Sequence, residues 1–267
     1  MKVYLSYFKL KFITGLQYRA SAIAGITTQV FFGLVNVLVY LAFYKSGDGS
    51  VSMTLSQTVT YLWLNQAFLI LIFQYYKDAE LFELIKSGNL SYELARPQNL
   101  YFMWYFKILA TRLSQVALRF IPALIFAFII PIPYRMSLPV SISGFVLFLV
   151  TLSLGAILIT AISTLYPIIV VKTLNEKGVV SIFSSLGDVL GGLAIPIPFF
   201  PKLIANVSKY LPFQYVSDLP FRIYIGNIAV NEALIGILIQ LFWIVTIVII
   251  GYLLLNKLLK NVSVQGG

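Results

Sequence analysis

The chain of 267 residues contains no cysteine and no histidine, and only 9 of its residues are acidic. Without cysteine there is no disulfide, no thiolate nucleophile and no soft-metal site, although the absence identifies no compartment. Without histidine the usual general base and the commonest metal ligand are missing, and a Ser-His-Asp arrangement cannot be assembled. There is no GxSxG, and no GxxxxGK[ST] that could cradle a nucleotide, so the chain is not its own P-loop ATPase. The nine carboxylates are scattered rather than clustered, which leaves no acid–base set for acyl or glycosyl transfer. We expect no enzyme here: no catalytic residue, no metal and no cofactor bound by this chain.

Charge as a whole is scarce. Soluble domains are about 45–50% apolar and about 25% charged; here the figures are 60% and 10%. The charges also vanish in long stretches. Ala20 to Tyr44, Gly49 to Tyr76, Met136 to Val171 and Ala233 to Asn256 carry none. Gly178 to Pro201 carries only Asp188, and Ile108 to Pro133 carries Arg112 and Arg119 near its start. A helix crosses a bilayer core with about 20 mostly apolar residues. The expected fold is therefore an all-α membrane protein with six transmembrane helices, forming a single membrane domain over residues 1–267.

What is present is basic, and unevenly placed. The N-terminal tail holds Lys2, Lys9, Lys11 and Arg19, and the loop from Lys77 to Lys107 adds Lys86 and Arg96 to its two ends. Lys172, Lys177, Lys257 and Lys260 lie on the same side by alternation, against Lys45, Arg135, Lys202, Lys209 and Arg222 on the other. Basic residues of short loops stay cytoplasmic, so both termini are expected inside. The basicity serves topology and lipid headgroups; no basic patch is interleaved with exposed aromatics as single-strand binders require, and no nucleic-acid partner is expected.

Met1, Tyr4, Leu5, Phe8, Phe12 and Leu16 recur at spacings of three and four, opposite Lys2, Ser6 and Lys9. That pattern predicts an amphipathic helix over residues 1–19, lying in the interface or docked on its own bundle. No small-residue cleavage site follows the basic residues, so the run from Ala20 reads as a retained first span. Residues 45–52 (KSGDGSVS) read as a simple turn. Residues 77–85 (KDAELFELI) read as a short helix stopped by Gly88, and a second element over residues 89–96 ends before Pro97. Between Ile195 and Asn231, five prolines break an aromatic-rich segment. Short helices or a re-entrant hairpin at the outer interface fit it better than a full span.

Charge inside a membrane is a functional hypothesis by default. Arg112 and Arg119 are seven apart and share a helix face; Arg112 reads as headgroup-facing, and Arg119 as snorkelling, paired, or lining an inner cavity. Asp188 is the sole acid inside a stretch. The absence of a second intramembrane aspartate nearby excludes an aspartyl protease, and a salt bridge to Arg119 or a hydrated place in a glycine-rich helix (Gly187, Gly191, Gly192) is expected instead. No internal repeat supports an inverted-repeat secondary transporter, which with a channel forms the alternative reading.

The block from Leu84 to Pro97, LIKSGNLSYELARP, resembles the pattern of type-2 ABC exporter permeases, in which an apolar-basic pair precedes a Gly and an Arg-Pro follows. Tyr210-Leu211-Pro212-Phe213, with Pro220 and Gly226 beyond it, is similar to the outer hairpin of bacterial members. The topology resembles the same family over nearly the whole chain: an elbow helix over residues 1–19, six spans, and an outer proline-rich hairpin over residues 195–231. The resemblance implies that residues 77–100 are a cytoplasmic coupling segment docking on a separate ATPase subunit, which would hold the Mg-ATP. Glu80, Phe82, Glu83, Gly88, Arg96 and Pro97 would carry that coupling, Arg119 and Asp188 the transport path, and Pro212 and Phe213 the outer hairpin. It further implies a second permease copy or a related permease, a bacterial cytoplasmic membrane, and outward movement of an amphipathic or lipid-like substrate.

Overall fold

The computed structural model describes residues 1–47, 52–90, 93 and 97–260. Among them all regular structure is helical. Four helices are long and apolar enough to cross a bilayer: α2 (Arg19–Ser46), α6 (Leu100–Ile129), α7 (Ile142–Thr173) and α11 (Val230–Leu259). Each holds 28 to 32 residues, or about 42–48 Å at the helical rise, more than a hydrocarbon core needs. Such a chain is a membrane protein.

Helix α7 is the axis of the bundle. Over half of its most apolar window is buried, against 22 to 28% for the other three. Helices α6 and α11 and the short helices Leu69–Ile72, Ala79–Lys86, Glu176–Leu190 and Asp218–Tyr224 pack on it. Ser141 caps its start by accepting from the Gly144 N–H. It stops at Leu174, which takes a left-handed backbone with φ 51°.

The other two charge-poor stretches are not single long helices. The second forms α3 (Leu55–Ala67), a break at Phe68, and α4 (Leu69–Ile72). Thr54 and Gln57 close a capping box at its start, satisfying two orphan N–H groups. From Thr58 to Ala67 every residue of α3 is buried, so its polar groups face protein rather than lipid. The fifth stretch forms α8 (Glu176–Leu190), capped by Asn175 and ending at Gly191. At 15 residues it rises about 22 Å, and Gly192, with φ 76°, turns the chain away in a conformation that glycine adopts freely.

The first helix, α1 (Lys2–Gly15), lies along α6. Tyr4 stacks near Phe106, and Phe8 meets Phe106 edge-on. Tyr4 Oη also accepts the Asn99 N–H at 3.0 Å. The helix docks on α6, but Met1 and Leu5 of the expected stripe stay exposed together with Val3, Leu10 and Ile13, so its apolar residues are not confined to one face.

Residues 195–231 contain the expected short helices. After a 3₁₀ turn over Ile197–Phe199 come α9 (Lys202–Lys209), a second 3₁₀ turn over Phe213–Tyr215, and α10 (Asp218–Tyr224). α10 is not peripheral. Phe221 is fully buried, and the helix packs on α7 and α3.

Candidate functional site

The short helix α5 (Ala79–Lys86) carries Glu80, Phe82 and Glu83 of the residues singled out in the sequence. Asp78 caps it by accepting the Leu81 N–H at 3.0 Å, Glu80 sits in its first turn and Lys86 in its last. Both charges complement the helix dipole. Gly88 adopts φ 75° just past the end and terminates the helix as expected. Leu81, Phe82 and Ile85 are buried, in the core they share with α7. Phe82 therefore anchors α5 to its own chain, where the sequence alone suggested an apolar face for a partner's groove. Glu83, Gly88 and Pro97 are exposed. Arg96, and most of the element expected over residues 89–96, lie outside the described residues.

Ion pairs tie α5 to three other helices. Lys107 of α6 reaches Asp78 Oδ1 at 2.9 Å and Glu80 Oε2 at 2.8 Å. Lys11 of α1 reaches Glu80 Oε2 at 3.0 Å. Glu176 at the start of α8 receives Lys77 at 3.0 Å and Lys86 at 3.2 Å. Partial burial pushes the Glu80 carboxyl up, but the hydrogen bonds from Lys107 and Lys11 outweigh it and hold the group below the ordinary carboxylate range. The hydrogen bond from Lys77 likewise lowers Glu176, and the same contact raises the Lys77 ammonium.

A cavity of about 680 Å³ opens beside this network, between α1, the start of α2, α5 and the middle of α6. Arg119 lines it. The guanidinium lies across Gly25 of α2, so closely that a Cβ there would collide with it. Its Nη2 donates to the Ser21 carbonyl at 3.3 Å, and its Nε is buried without a partner. Asp188 is elsewhere. It sits near the end of α8, where Gly187 packs against the side chain of Gln74, and its Oδ1 has no partner. The expected Arg119–Asp188 salt bridge does not form: Arg119 lies against α2, and Asp188 stands near the end of α8.

Arg112 departs most from the sequence reading. It is not at the headgroups but buried, with 1% of its surface exposed. Nη1 donates to the carbonyls of Ile70, Leu71 and Phe73 at 3.0 to 3.2 Å, and Nη2 to Ser163 Oγ at 2.7 Å. The Tyr76 ring lies 4.6 Å from the guanidinium carbon. A broken helix leaves its last carbonyls unpaired; Arg112 collects them, which explains how the chain leaves helical form after Ile72 inside the protein. Nothing in local spacing announces this, since the acceptors lie some forty residues earlier.

At the other end of the bundle, a second polar cluster holds the proline-rich segment. Tyr61 donates to Gly192 O at 3.0 Å and Asp218 Oδ1 at 3.1 Å, and Ser217 donates to Gly191 O at 2.8 Å. Arg222 pairs with Asp218 at 3.4 Å. Gln240, the one fully buried polar residue of α11, donates from Nε2 to Thr151 O and Tyr215 O. Pro212 and Phe213 are buried beside these groups. Among the described residues no group of His, Cys, Asp or Glu side chains is arranged to hold a metal.

The family described as ABC-2 family transporter protein matches residues 30–266 of this chain. No curated protein and no solved structure matches it.

Proposed function

The chain belongs to the ABC-2 transporter family, and from that membership we propose that it is the permease subunit of an ATP-driven exporter in a bacterial cytoplasmic membrane. Members of this family work in general with an ATPase subunit. The observation that carries the reading is the construction of α5. Its buried face is fixed to α7 and its flanks to α1, α6 and α8, while Glu83 and Gly88 stay exposed. A partner pressing on that exposed face moves four helices at once. We assign it as the surface that receives the ATPase, with Glu83 as the contact for a basic partner residue and Glu80 as an internal brace.

In this reading α3–α4 and α8 are two further, shortened spans, so six segments cross the bilayer and both termini are cytoplasmic, in accord with the lysine distribution. A half-helix of this kind is compatible with a membrane where protein surrounds it, as it surrounds α3. The Gly187–Gly192 stretch is the hinge between two packings. The protein acts as a dimer, with itself or a related permease. The substrate moved outward is amphipathic or lipid-like, since the spanning stretches are rich in aromatic residues and almost free of charge.

Tagging the chain, solubilising it mildly and identifying what co-purifies tests the assignment. A P-loop ATPase should co-elute and be lost from Glu83→Lys, a change at an exposed position that leaves the fold intact. If no ATPase accompanies the wild-type chain under conditions that preserve a known complex, the exporter reading fails and an ATP-independent transporter or channel replaces it.

A further inference from the structure

Four cations and two carboxylates line the cavity between α1, α2, α5 and α6. Lys11 and Lys107 are taken up by Glu80 and Asp78, and Lys77 by Glu176. Arg119 is the remaining cation on that wall, and no described carboxylate pairs with it. An arginine presents five N–H donors in a fixed fork. Here one hydrogen bond, to Ser21 O at 3.3 Å, is made, and Nε is buried without any. Gly25 supplies the flat seat that holds the guanidinium in place. A fork held this way suits a phosphate, which takes two parallel charge-assisted hydrogen bonds from arginine.

The surroundings say which kind of phosphate. An exposed apolar row along α6, Ile121, Ile125 and Ile129, at a spacing of four, continues the helix face on which Lys107, Thr111 and Leu118 line the cavity. At the rim of the cavity Tyr18 and Tyr75 expose more than half their surface. An apolar row leading from a charged pocket into a spanning segment, with tyrosines at the mouth, matches a lipid whose headgroup sits at the membrane surface. We propose that the cavity binds one anionic phospholipid, its phosphate on Arg119 and an acyl chain along Ile121 and Ile125. The site has a net positive lining, so it favours a headgroup of net negative charge over a zwitterionic one. The inference needs α6 to cross the bilayer; it does not need the ATPase partnership, and either can fail without the other.

Native mass spectrometry of the purified full chain in neutral detergent, titrated with phosphatidylglycerol or phosphatidylcholine of the same chain length, tests it. The first phosphatidylglycerol should bind about tenfold more tightly, the factor that one charge-assisted contact of about 1.4 kcal/mol gives. Arg119→Gln should abolish the preference and Lys260→Gln should leave it. Gly25→Ala, which keeps the charge but displaces the guanidinium from its seat, should also remove it, and serves if Arg119→Gln does not fold. Equal binding of the two lipids, or a preference that survives both Arg119→Gln and Gly25→Ala, overturns the site. Displacement of the lipid by millimolar glycerol 3-phosphate would make it a pocket for soluble anions and overturn the lipid assignment.

Discussion

Replacing Arg112 by methionine keeps a long flexible side chain in the core but removes every donor that ends α4. Four hydrogen bonds are lost, each worth about 1.5–3 kcal/mol when a charged group is involved, so the gross loss is roughly 6–12 kcal/mol. Against it stands the relief of burying a guanidinium, whose desolvation costs several kcal/mol. Three carbonyls remain without a donor in an apolar setting, at about 1–3 kcal/mol for each that water does not reach. The net expectation for Arg112→Met is a destabilisation of about 3–5 kcal/mol, the range for breaking a buried charged contact by removing one partner. Arg112→Lys retains the charge and three donors but not the planar fork, and should lose about 1–2 kcal/mol. Unfolding in mixed micelles, followed by far-UV circular dichroism against rising SDS fraction, gives the difference directly. If Arg112→Met lies within about 1 kcal/mol of wild type, the carbonyls after α4 are satisfied in some other way and the account of the break is wrong.

The ion network on α5 makes its docking pH-dependent. Glu80 and Glu176 titrate below their unfolded values, so their contribution is fully present above the ordinary carboxylate range and is lost as pH falls through the folded values. Amide hydrogen exchange across residues 79–86 should quicken in acid beyond its intrinsic pH dependence, and Glu80→Gln should flatten that excess; an unchanged profile in the variant removes Glu80 as the brace. At Gly155 of α7 an added Cβ would lie 2.5 Å from the Val216 carbonyl oxygen. Gly155→Ala should therefore cost about 1–3 kcal/mol by overpacking in the same SDS titration, and neutrality would show that the 3₁₀ turn beneath it yields easily.

Features with a local physical signal are legible in the sequence. Uncharged length located the helices α2, α6, α7 and α11, and proline spacing foretold the short helices between Ile195 and Asn231. The stop at Gly88 needed only a residue that tolerates positive φ. Features decided by a partner distant in sequence are not. Spacing put Arg112 and Arg119 on one helix face, yet Arg112 is claimed by carbonyls of the segment after α3 and Arg119 by the surface of α2. The apolar residues of α5 were recognised as one face, but amphipathicity does not say whether the covering surface belongs to the same chain. Tyr61, Asp218 and Gln240 went unremarked, since a single polar residue in an apolar run announces a buried partner without naming it.

The two kinds of contact that hold α5 respond differently to mechanical load. Lys11, Lys77 and Lys86 are long and jointed, and Coulomb attraction falls gently with separation, so these tethers stretch and swivel with small loss. The seat of Leu81, Phe82 and Ile85 is close-packed and yields little to compression. α5 is thus compliant in torsion and stiff under thrust: a load pressed onto its outer face passes into α7, whereas a twist is absorbed at the lysines.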